Sequence, residues 1–446
     1  MTSSASRRAA SPGTAHLLDF VSPRCGVIRE LARSVRAADE PVPPILWHAR
    51  LADFDFKKQG ALERTGGGKG VTDEEAMAGA VGEALERYCA AHVDAARFVH
   101  AAPTDLTAPH IHPNECVLYS PAQYARPAFP YRSPGADQAC AWVRGWELPD
   151  RREVLIPASL VYLYGAGFGV DEVFCGSTSN GLAAGPDLAS AIQSGLAELI
   201  ERDAFLATWM NALAVPEIDL AEVGGPADDV RRHYARFGLE TRVFDLTTDI
   251  AVPAMMAVCL DRSGQGPAAV VGLGCHRDAR TAAMKAIFEI CQVRPGEVRR
   301  FHEARAAGRM LTTYADVHTL EDHSGFFGPL ERLSELAFLL ESGRRRRIDD
   351  VPSVAAGCEN EGLAAIVGAL QSAGCRVAYV DLTTPDVAPS GVRVVRAIAT
   401  GLQPMHFGHG EERLGGSRLF ELPQRLGYAV ARRIESDLNP CPHPLA

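Results

Sequence analysis

The stretch Glu198-Leu-Ile-Glu-Arg-Asp203 crowds three acids and an arginine into one turn and a half of an otherwise apolar helical run. The same Glu-x-x-Glu-Arg order recurs at Glu83-Ala-Leu-Glu-Arg87, and Glu289-Ile-Cys-Gln292 repeats the spacing with an acid and an amide. Residues three apart share a helix face, so each run presents two oxygen-bearing side chains on one side. Carboxylates grouped in this way repel or raise one another's pKa. A divalent cation is the simplest neutraliser: Mg2+ takes hard oxygen ligands, keeps some waters and bridges phosphate oxygens, which suits Glu-x-x-Glu pairs better than His or Cys. A single such motif is more often a solvent-exposed helix face. Three of them in strongly apolar helices, each behind a glycine-rich segment, shift the balance towards a ligand.

The elements that must position these acids follow one order. Gly66-Gly-Gly-Lys-Gly70 reads as a glycine-rich loop, and Thr72-x-x-Glu75 as a capping box opening a helix that runs to about His92. Gly176-Ser-Thr-Ser-Asn-Gly181 runs through Gly185-Pro186, with the proline at the first helical position of the next helix. Gly272-Leu-Gly274 follows the β-like Ala268–Val271 and precedes Asp278, a good N-cap for the third helix. Loops of this kind offer backbone N–H donors and a helix dipole to phosphate, and Lys69, Arg87 and Arg202 add positive charge. Gly66–Gly70 is not a Walker A, since the G-x-x-x-x-G-K-[ST] spacing is missing. Together the three segments point to a nucleotide and Mg2+.

A second repeat is more explicit. A helical segment ends in glycine, a strand follows, and Asp245-Leu-Thr-Thr-Asp249 in one place matches Asp381-Leu-Thr-Thr-Pro-Asp386 in the other. Each leads into a further apolar strand, Val252–Leu260 and Val392–Ala399, giving two related αββ units. The expected fold is α/β: one intertwined domain with mixed sheets and packed helices. The first fifteen residues read as a frayed tail within a flexible lead-in over residues 1–45, ending at Pro41-Val-Pro-Pro44, with the core over 46–446. Between Ala101 and Asp150 a proline-rich excursion carries expected strands near Cys116–Tyr119 and Ala141–Trp146.

Composition narrows the function classes. A chain of 446 residues with 47% hydrophobic and 22% charged residues can bury ample core. No apolar run approaches the roughly 20 residues a membrane span requires. A formal charge of -10 disfavours broad binding to nucleic acid or anionic lipid. Arg344–Arg347 is the local exception: it reads as a solvated loop, with docking of an acidic peptide as the functional alternative. The 11 cysteines contain no C-x-x-C pair and read as reduced cytosolic thiols.

No nucleophile stands out. Cys175 and Cys275 sit beside glycine or histidine, yet small cysteines near turns are mostly packing residues. His406, His409 and His443 have no metal-ligand spacing. The ending Pro440-Cys-Pro-His-Pro444 reads either as an extended, polyproline-like arm or as a floppy terminus.

Taken jointly, Gly67-Gly-Lys-Gly70, Gly82-Glu-Ala-Leu-Glu-Arg87, Ser179-Asn-Gly-Leu-Ala-Ala-Gly185, Glu198-Leu-Ile-Glu-Arg-Asp203, Glu289 with Gln292, Asp381-Leu-Thr-Thr384, Val395-Arg-Ala397 and Gly401-Leu-Gln-Pro404 resemble the YcaO family, ATP-dependent enzymes that activate peptide backbone amides. The resemblance spans roughly Leu17 to the C-terminus. It implies that Glu83, Glu86, Glu198 and Glu201 hold Mg2+ and ATP, that Lys69, Arg202 and Arg396 contact the phosphates, and that Glu289 and Gln292 line the same site. Pro440, Pro442 and Pro444 are similar to the ending of azoline-forming cyclodehydratases, whose terminus lies near the active site. The chain departs from the family at Gly79, where many members carry Ser, at Thr400, where Pro is usual, and in Leu445-Ala446 beyond the prolines.

By this resemblance the expected function is cyclodehydration of Cys, Ser or Thr in a ribosomally made precursor peptide, the substrate supplying the nucleophile. The alternatives are thioamide or amidine formation on the same activated amide, or a catalytically silent scaffold. A separate E1-like or leader-binding partner and a homodimer are also expected.

Overall fold

The computed structural model describes residues 15–53, 64–163, 168–169, 172–354 and 358–445. Most of the tail expected over the first fifteen residues lies outside them, as does Ala446. Three strands come first, β1 (Ile28–Arg33), β2 (Ile45–Leu51) and β3 (Thr65–Gly70), and then helix α1 (Asp73–Ala91). After β4 (Val99–Ala101) and the one-turn α2 (Pro121–Tyr124) come β5 (Cys140–Leu148), β6 (Arg152–Pro157), β7 (Leu182–Gly185) and α3 (Leu188–Met210). The middle of the chain holds β8 (Glu217–Ile218), α4 (Leu220–Val223), α5 (Gly225–Ala235), β9 (Leu239–Asp245), β10 (Ala254–Asp261), β11 (Ala269–Cys275) and α6 (Ala279–Ala306). Then follow α7 (Leu320–Gly325), α8 (Ala337–Leu340), β12 (Arg345–Arg346), α9 (Glu359–Ser372), β13 (Val377–Asp381), β14 (Arg393–Ala399) and α10 (Arg418–Arg425).

Two compact units share the chain, each assembled from segments far apart in sequence. The first takes the described residues of 1–34, 45–199 and 356–402, the second those of 35–44, 200–355 and 403–446. One change of unit falls at Pro44/Ile45, at the end of the proline cluster, and another inside α3. Within the stretch read as a lead-in, β1 pairs antiparallel with β2 and Ile28 is fully buried.

The first unit contains an antiparallel sheet in the order β1-β2-β3 and a six-stranded sheet in the order β4-β5-β13-β14-β7, with β6 on β5. Its core joins Leu85 of α1 to Ile156, Val380 and Val394. The second unit has one sheet, β11-β10-β9-β8-β12, under Phe205, Trp209, Phe327 and Leu336 on one side and α5 and α6 on the other.

The αββ repeat is real and reaches atomic detail. In the first unit Asp381 Oδ1 accepts from the Thr383 N–H at 2.9 Å and the Leu382 N–H donates to Val394 O at 2.8 Å. In the second, Asp245 Oδ1 accepts from Thr247 N–H at 2.9 Å and Leu246 N–H donates to Ala254 O at 2.8 Å. The aspartate folds back on its own turn and fixes where the next strand begins. Each pair then gains a third antiparallel strand that leads into an acidic helix: β7 beside β14 before α3, and β11 beside β10 before α6.

Two glycine segments expected as loops are strands. Gly66–Gly70 lies in β3 and Gly272–Gly274 in β11. A Cβ at Gly68 would sit 1.9 Å from Ala76 O, and one at Gly274 2.2 Å from Ala282 O. These glycines therefore let a helix lie directly on a strand. Pro186 is not the first helical residue either. Asp187 precedes the helix and caps it, its Oδ1 accepting from Ser190 N–H at 2.8 Å. No strand forms over Cys116–Tyr119, where Tyr119 stacks on Tyr131 at 5.1 Å within an aromatic cluster. Aromatic packing between prolines replaces a ladder there. The caps at Thr72 and Asp278 are present, at 3.2 Å and 2.8 Å. Glu75 reaches past Thr72, however, to accept from the Val71 N–H.

Candidate functional site

On each acidic helix the first glutamate of the motif accepts a backbone N–H at or just before an edge strand. β3, β7 and β11 each end their sheet, so one row of their N–H groups lacks a ladder partner. Glu83 Oε2 accepts from Gly67 N–H at 2.6 Å and Glu289 Oε2 from Leu273 N–H at 2.8 Å, each 16 residues upstream. Glu198 Oε2 accepts from Gly181 N–H at 3.2 Å, 17 residues upstream and just before β7. Glu86 Oε1 takes the Ala184 N–H of β7 at 2.7 Å. The acids thus serve the fold as well, since one oxygen of each holds a strand.

Holding the strands does not account for all of their charge. In the first unit Glu83 and Glu198 are close enough to act on Glu86. Burial and the neighbouring Glu83 and Glu198 carboxylates push Glu86 up to about 8, against the backbone N–H of Ala184 and Arg87. Arg87 pairs with Glu83 at 2.7 Å and leaves Glu86 under-neutralised. Asn180 Oδ1, in the loop carrying Gly181, is buried without a hydrogen-bond partner among the described residues. A protonated acid among acids and an orphaned acceptor are the features a bound hard cation relieves. Among the described residues no three His, Cys, Asp or Glu side chains form a group that could hold a metal ion.

Lys69 lies on β3, opposite Leu46 of β2. Arg396 is buried in β14, where its Nε and two terminal nitrogens donate to Val161 O (2.9 Å), Asn180 O (2.6 Å) and Thr178 O (3.0 Å). It spans and fixes the 178–181 loop, a fact sequence spacing could not supply.

In the second unit Glu201 is buried and 3.5 Å from Arg202, while Glu289 and Gln292 are half-buried on α6. The third acid of the motif separates from the other two. Asp203 is fully buried, paired with Arg418 at 2.8 Å and bonded to Gln403 N–H at 2.8 Å. Arg418 also pairs with Asp249 at 2.7 Å.

The proline ending is anchored. Pro440 is exposed, but Cys441–Leu445 are buried. Trp209 Nε1–H donates to Cys441 O at 2.8 Å. The His443 ring stacks on His323 at 3.8 Å, and His406 lies 5.1 Å away edge-on. Gly408 N–H donates to His323 Nε2 at 3.1 Å, so that nitrogen is the acceptor and Nδ1–H donates to His443 O at 3.0 Å. Burial lowers all three imidazoles, His323 to about 4, and the positive charge of Arg202 lowers His443 further. His406 and His443 stand out in the sequence, but nothing there signals His323, which lies on α7, far from both along the chain.

Cys175 and Cys275 are buried packing residues, and burial with the Glu201 charge pushes the Cys275 thiol well above its usual range. None of the 11 cysteines is in a disulfide. No described helix is long and apolar enough to cross a membrane.

The YcaO family, described as an ATP- and Mg2+-binding cyclodehydratase, matches residues 67–403. An uncharacterized protein of Methanothermobacter thermautotrophicus is 30% identical over 356 residues, covering 78% of this chain and 83% of that one. A heterocyclase solved in complex with substrate and cofactor superposes with a TM-score of 0.79 at 26% identity, over 97% of this chain and 57% of that chain. The chain therefore spans little more than half of that heterocyclase. The Escherichia coli microcin synthetase McbBCD complex with pro-MccB17 bound shares the fold, at a TM-score of 0.57 and 16% identity over 83% of this chain and 87% of that one. The chain, a mixed α/β protein whose cofactors are ATP and Mg2+, belongs to the YcaO family.

Proposed function

We propose that this protein is an ATP-dependent cyclodehydratase that converts Cys, Ser or Thr of a ribosomally made precursor peptide to thiazoline or oxazoline, working with a separate leader-binding partner protein. The observation that carries the reading is the convergence of Glu83, Glu86 and Glu198, with the Glu86 carboxyl pushed up to about 8 by burial first and by its neighbours second. The 26% identical heterocyclase bound to substrate and cofactor supports the reaction class. McbBCD, a complex with pro-MccB17 bound, supports the expectation of peptide and partner.

The substrate's hydroxyl or thiol gives up its proton to solvent as it adds to the preceding amide carbonyl, forming the ring bond and placing the carbonyl electron pair on oxygen. That oxygen attacks the γ-phosphorus of ATP and displaces ADP. The amide nitrogen then drives out phosphate, loses its proton and completes the C=N bond. The nucleophile belongs to the substrate, which explains why the buried thiols here are inert. By the family resemblance, Glu83, Glu86, Glu198 and Glu201 would hold Mg2+, which would supply charge neutralisation for the transferring phosphoryl group. Lys69 and Arg202 add fixed positive charge, and Arg396 keeps the 178–181 loop in place so that Asn180 and Glu198 stay aimed. By the same resemblance Glu289 and Gln292 would line the nucleotide site, and the ending Pro440, Pro442 and Pro444 would serve near the peptide.

The test is a reconstitution with partner and peptide. Loss of one water per ring, coupled to ADP and phosphate release, is expected, and Glu198→Gln should reduce turnover by about two orders of magnitude. Exchange of oxygen for sulfur in the product would identify thioamide formation instead. No ATP consumption, with Glu198→Gln and Glu201→Gln silent in cells, would leave a scaffold.

A further inference from the structure

The four-arginine run of the sequence forms part of a cavity that the reaction above does not use. In the second unit a half-open cavity of about 530 Å³ is lined by Arg344, Arg345 and Arg346 together with Asp245, Thr247, Thr248, Tyr428, Leu426 and two prolines. Its charges are unequal. Arg345 pairs with Glu217 at 2.6 Å and Arg346 with Asp245 at 2.6 Å. Arg344 is exposed, lies 5.0 Å over the Tyr428 ring, and among the described residues has no carboxylate at ion-pair distance. The cavity therefore offers one uncompensated guanidinium on an aromatic shelf. That balance suits a single carboxylate with an apolar neighbour, and falls short of what a polyphosphate requires.

The backbone beside it points to a peptide. β12 (Arg345–Arg346) is the terminal strand of the five-stranded sheet, joined to β8 on one side only. An edge strand takes an extended peptide through main-chain bonds, while flanking pockets read alternate side chains. Leu426 and Tyr428 supply the apolar pocket, and Arg344 supplies the charged one.

We propose that this cavity is a docking site for an acidic, extended segment of the peptide substrate, which pairs with the β12 edge and places a carboxylate on Arg344 and an apolar side chain on Tyr428. The assignment of the segment to the substrate rests on the peptide-modifying function proposed above; the acidic-peptide specificity does not.

The experiment is fluorescence anisotropy on the full chain with a labelled Asp-Leu-Asp-Leu-Asp-Leu peptide and its Asn-for-Asp counterpart, without ATP and again with saturating Mg-ATP. The acidic peptide should bind about tenfold or more tightly than the amide counterpart and weaken with salt. Arg344→Glu should abolish that preference and Tyr428→Ala should weaken binding, both with unchanged thermal midpoint and unchanged ATP hydrolysis. Glu198→Gln should leave the peptide affinity intact, so a failed cyclodehydration reading and a failed docking site give different results. Equal binding of the two peptides, an unaffected Arg344→Glu variant, or displacement of the peptide by Mg-ATP would each overturn the proposal.

Discussion

The Gly67 N–H donates to Glu83 Oε2 at 2.6 Å, and this one bond joins an edge strand to the acidic helix above it. Glu198 and Glu289 repeat the arrangement. An acid in this position does two things, satisfying a backbone donor and carrying charge, and the two can be separated by substitution. Glu83→Gln and Glu198→Gln keep an acceptor oxygen and should fold with nearly wild-type stability while losing Mg2+ and ATP affinity. Glu83→Ala and Glu198→Ala leave the donor unmade and should in addition lose about 1–3 kcal/mol in denaturant unfolding. Equal stability of the Gln and Ala variants would contradict the strand-holding role.

With Glu86 in the proposed metal site, Mg2+ binding should depend on pH. Its folded value of about 8 lies above the usual carboxylate range, so the proton competes with Mg2+ throughout the neutral range. The apparent Mg2+ affinity should rise by up to tenfold per pH unit towards pH 8 and then level off. Calorimetry in buffers of different ionisation enthalpy should record a proton released on binding. Because the folded acid is the weaker one, the metal-free protein binds more protons than its unfolded chain between pH 4.5 and about 8. Its stability from this group should fall as pH rises across that window, and Mg2+ should restore it.

The stacked His323 and His443 give the C-terminal arm the opposite dependence. His323 is held neutral, its folded value near 4 against 6.5 when free. Its contribution is complete above pH 6.5 and is lost as pH falls towards 4, an upper limit of about 3 kcal/mol. The arm should detach first. Trp209, which donates to Cys441 O, is placed to report this: its fluorescence should change, and the C-terminus become protease-sensitive, between pH 6 and 4, before far-ultraviolet dichroism is lost.

Asp203, although part of the acidic motif, should behave as a core residue. Arg418→Ala strands its fully buried carboxylate and should cost about 3–5 kcal/mol in denaturant unfolding. Without the arginine, Asp203→Asn should recover part of that loss, which a catalytic acid would not do.

What the sequence made legible follows from the range of each interaction. Caps at Thr72 and Asp278, the acidic helices and both Asp-Leu-Thr-Thr turns depend on neighbours a few residues apart, so pattern and spacing reveal them. The glycines of β3 and β11 misled because a glycine-rich loop and a strand pressed against a helix have the same composition; only the 1.9 Å approach of a Gly68 Cβ to Ala76 O tells them apart. The pairings of Asp203 with Arg418, of Arg396 with the 178–181 loop and of His323 with His443 join residues more than a hundred positions apart. No local periodicity encodes them. The family resemblance carried the cofactors and reaction class, because it draws on many such distant constraints at once.

The central claim is that the backbone amide oxygen leaves as phosphate. A precursor peptide carrying a heavy oxygen isotope in the carbonyl before the cyclised residue tests this directly when it is turned over with ATP, Mg2+ and the partner protein. The account predicts that the label appears in inorganic phosphate, in step with the loss of one water from the peptide. Label recovered in bulk water, or retained in the modified peptide, would contradict it.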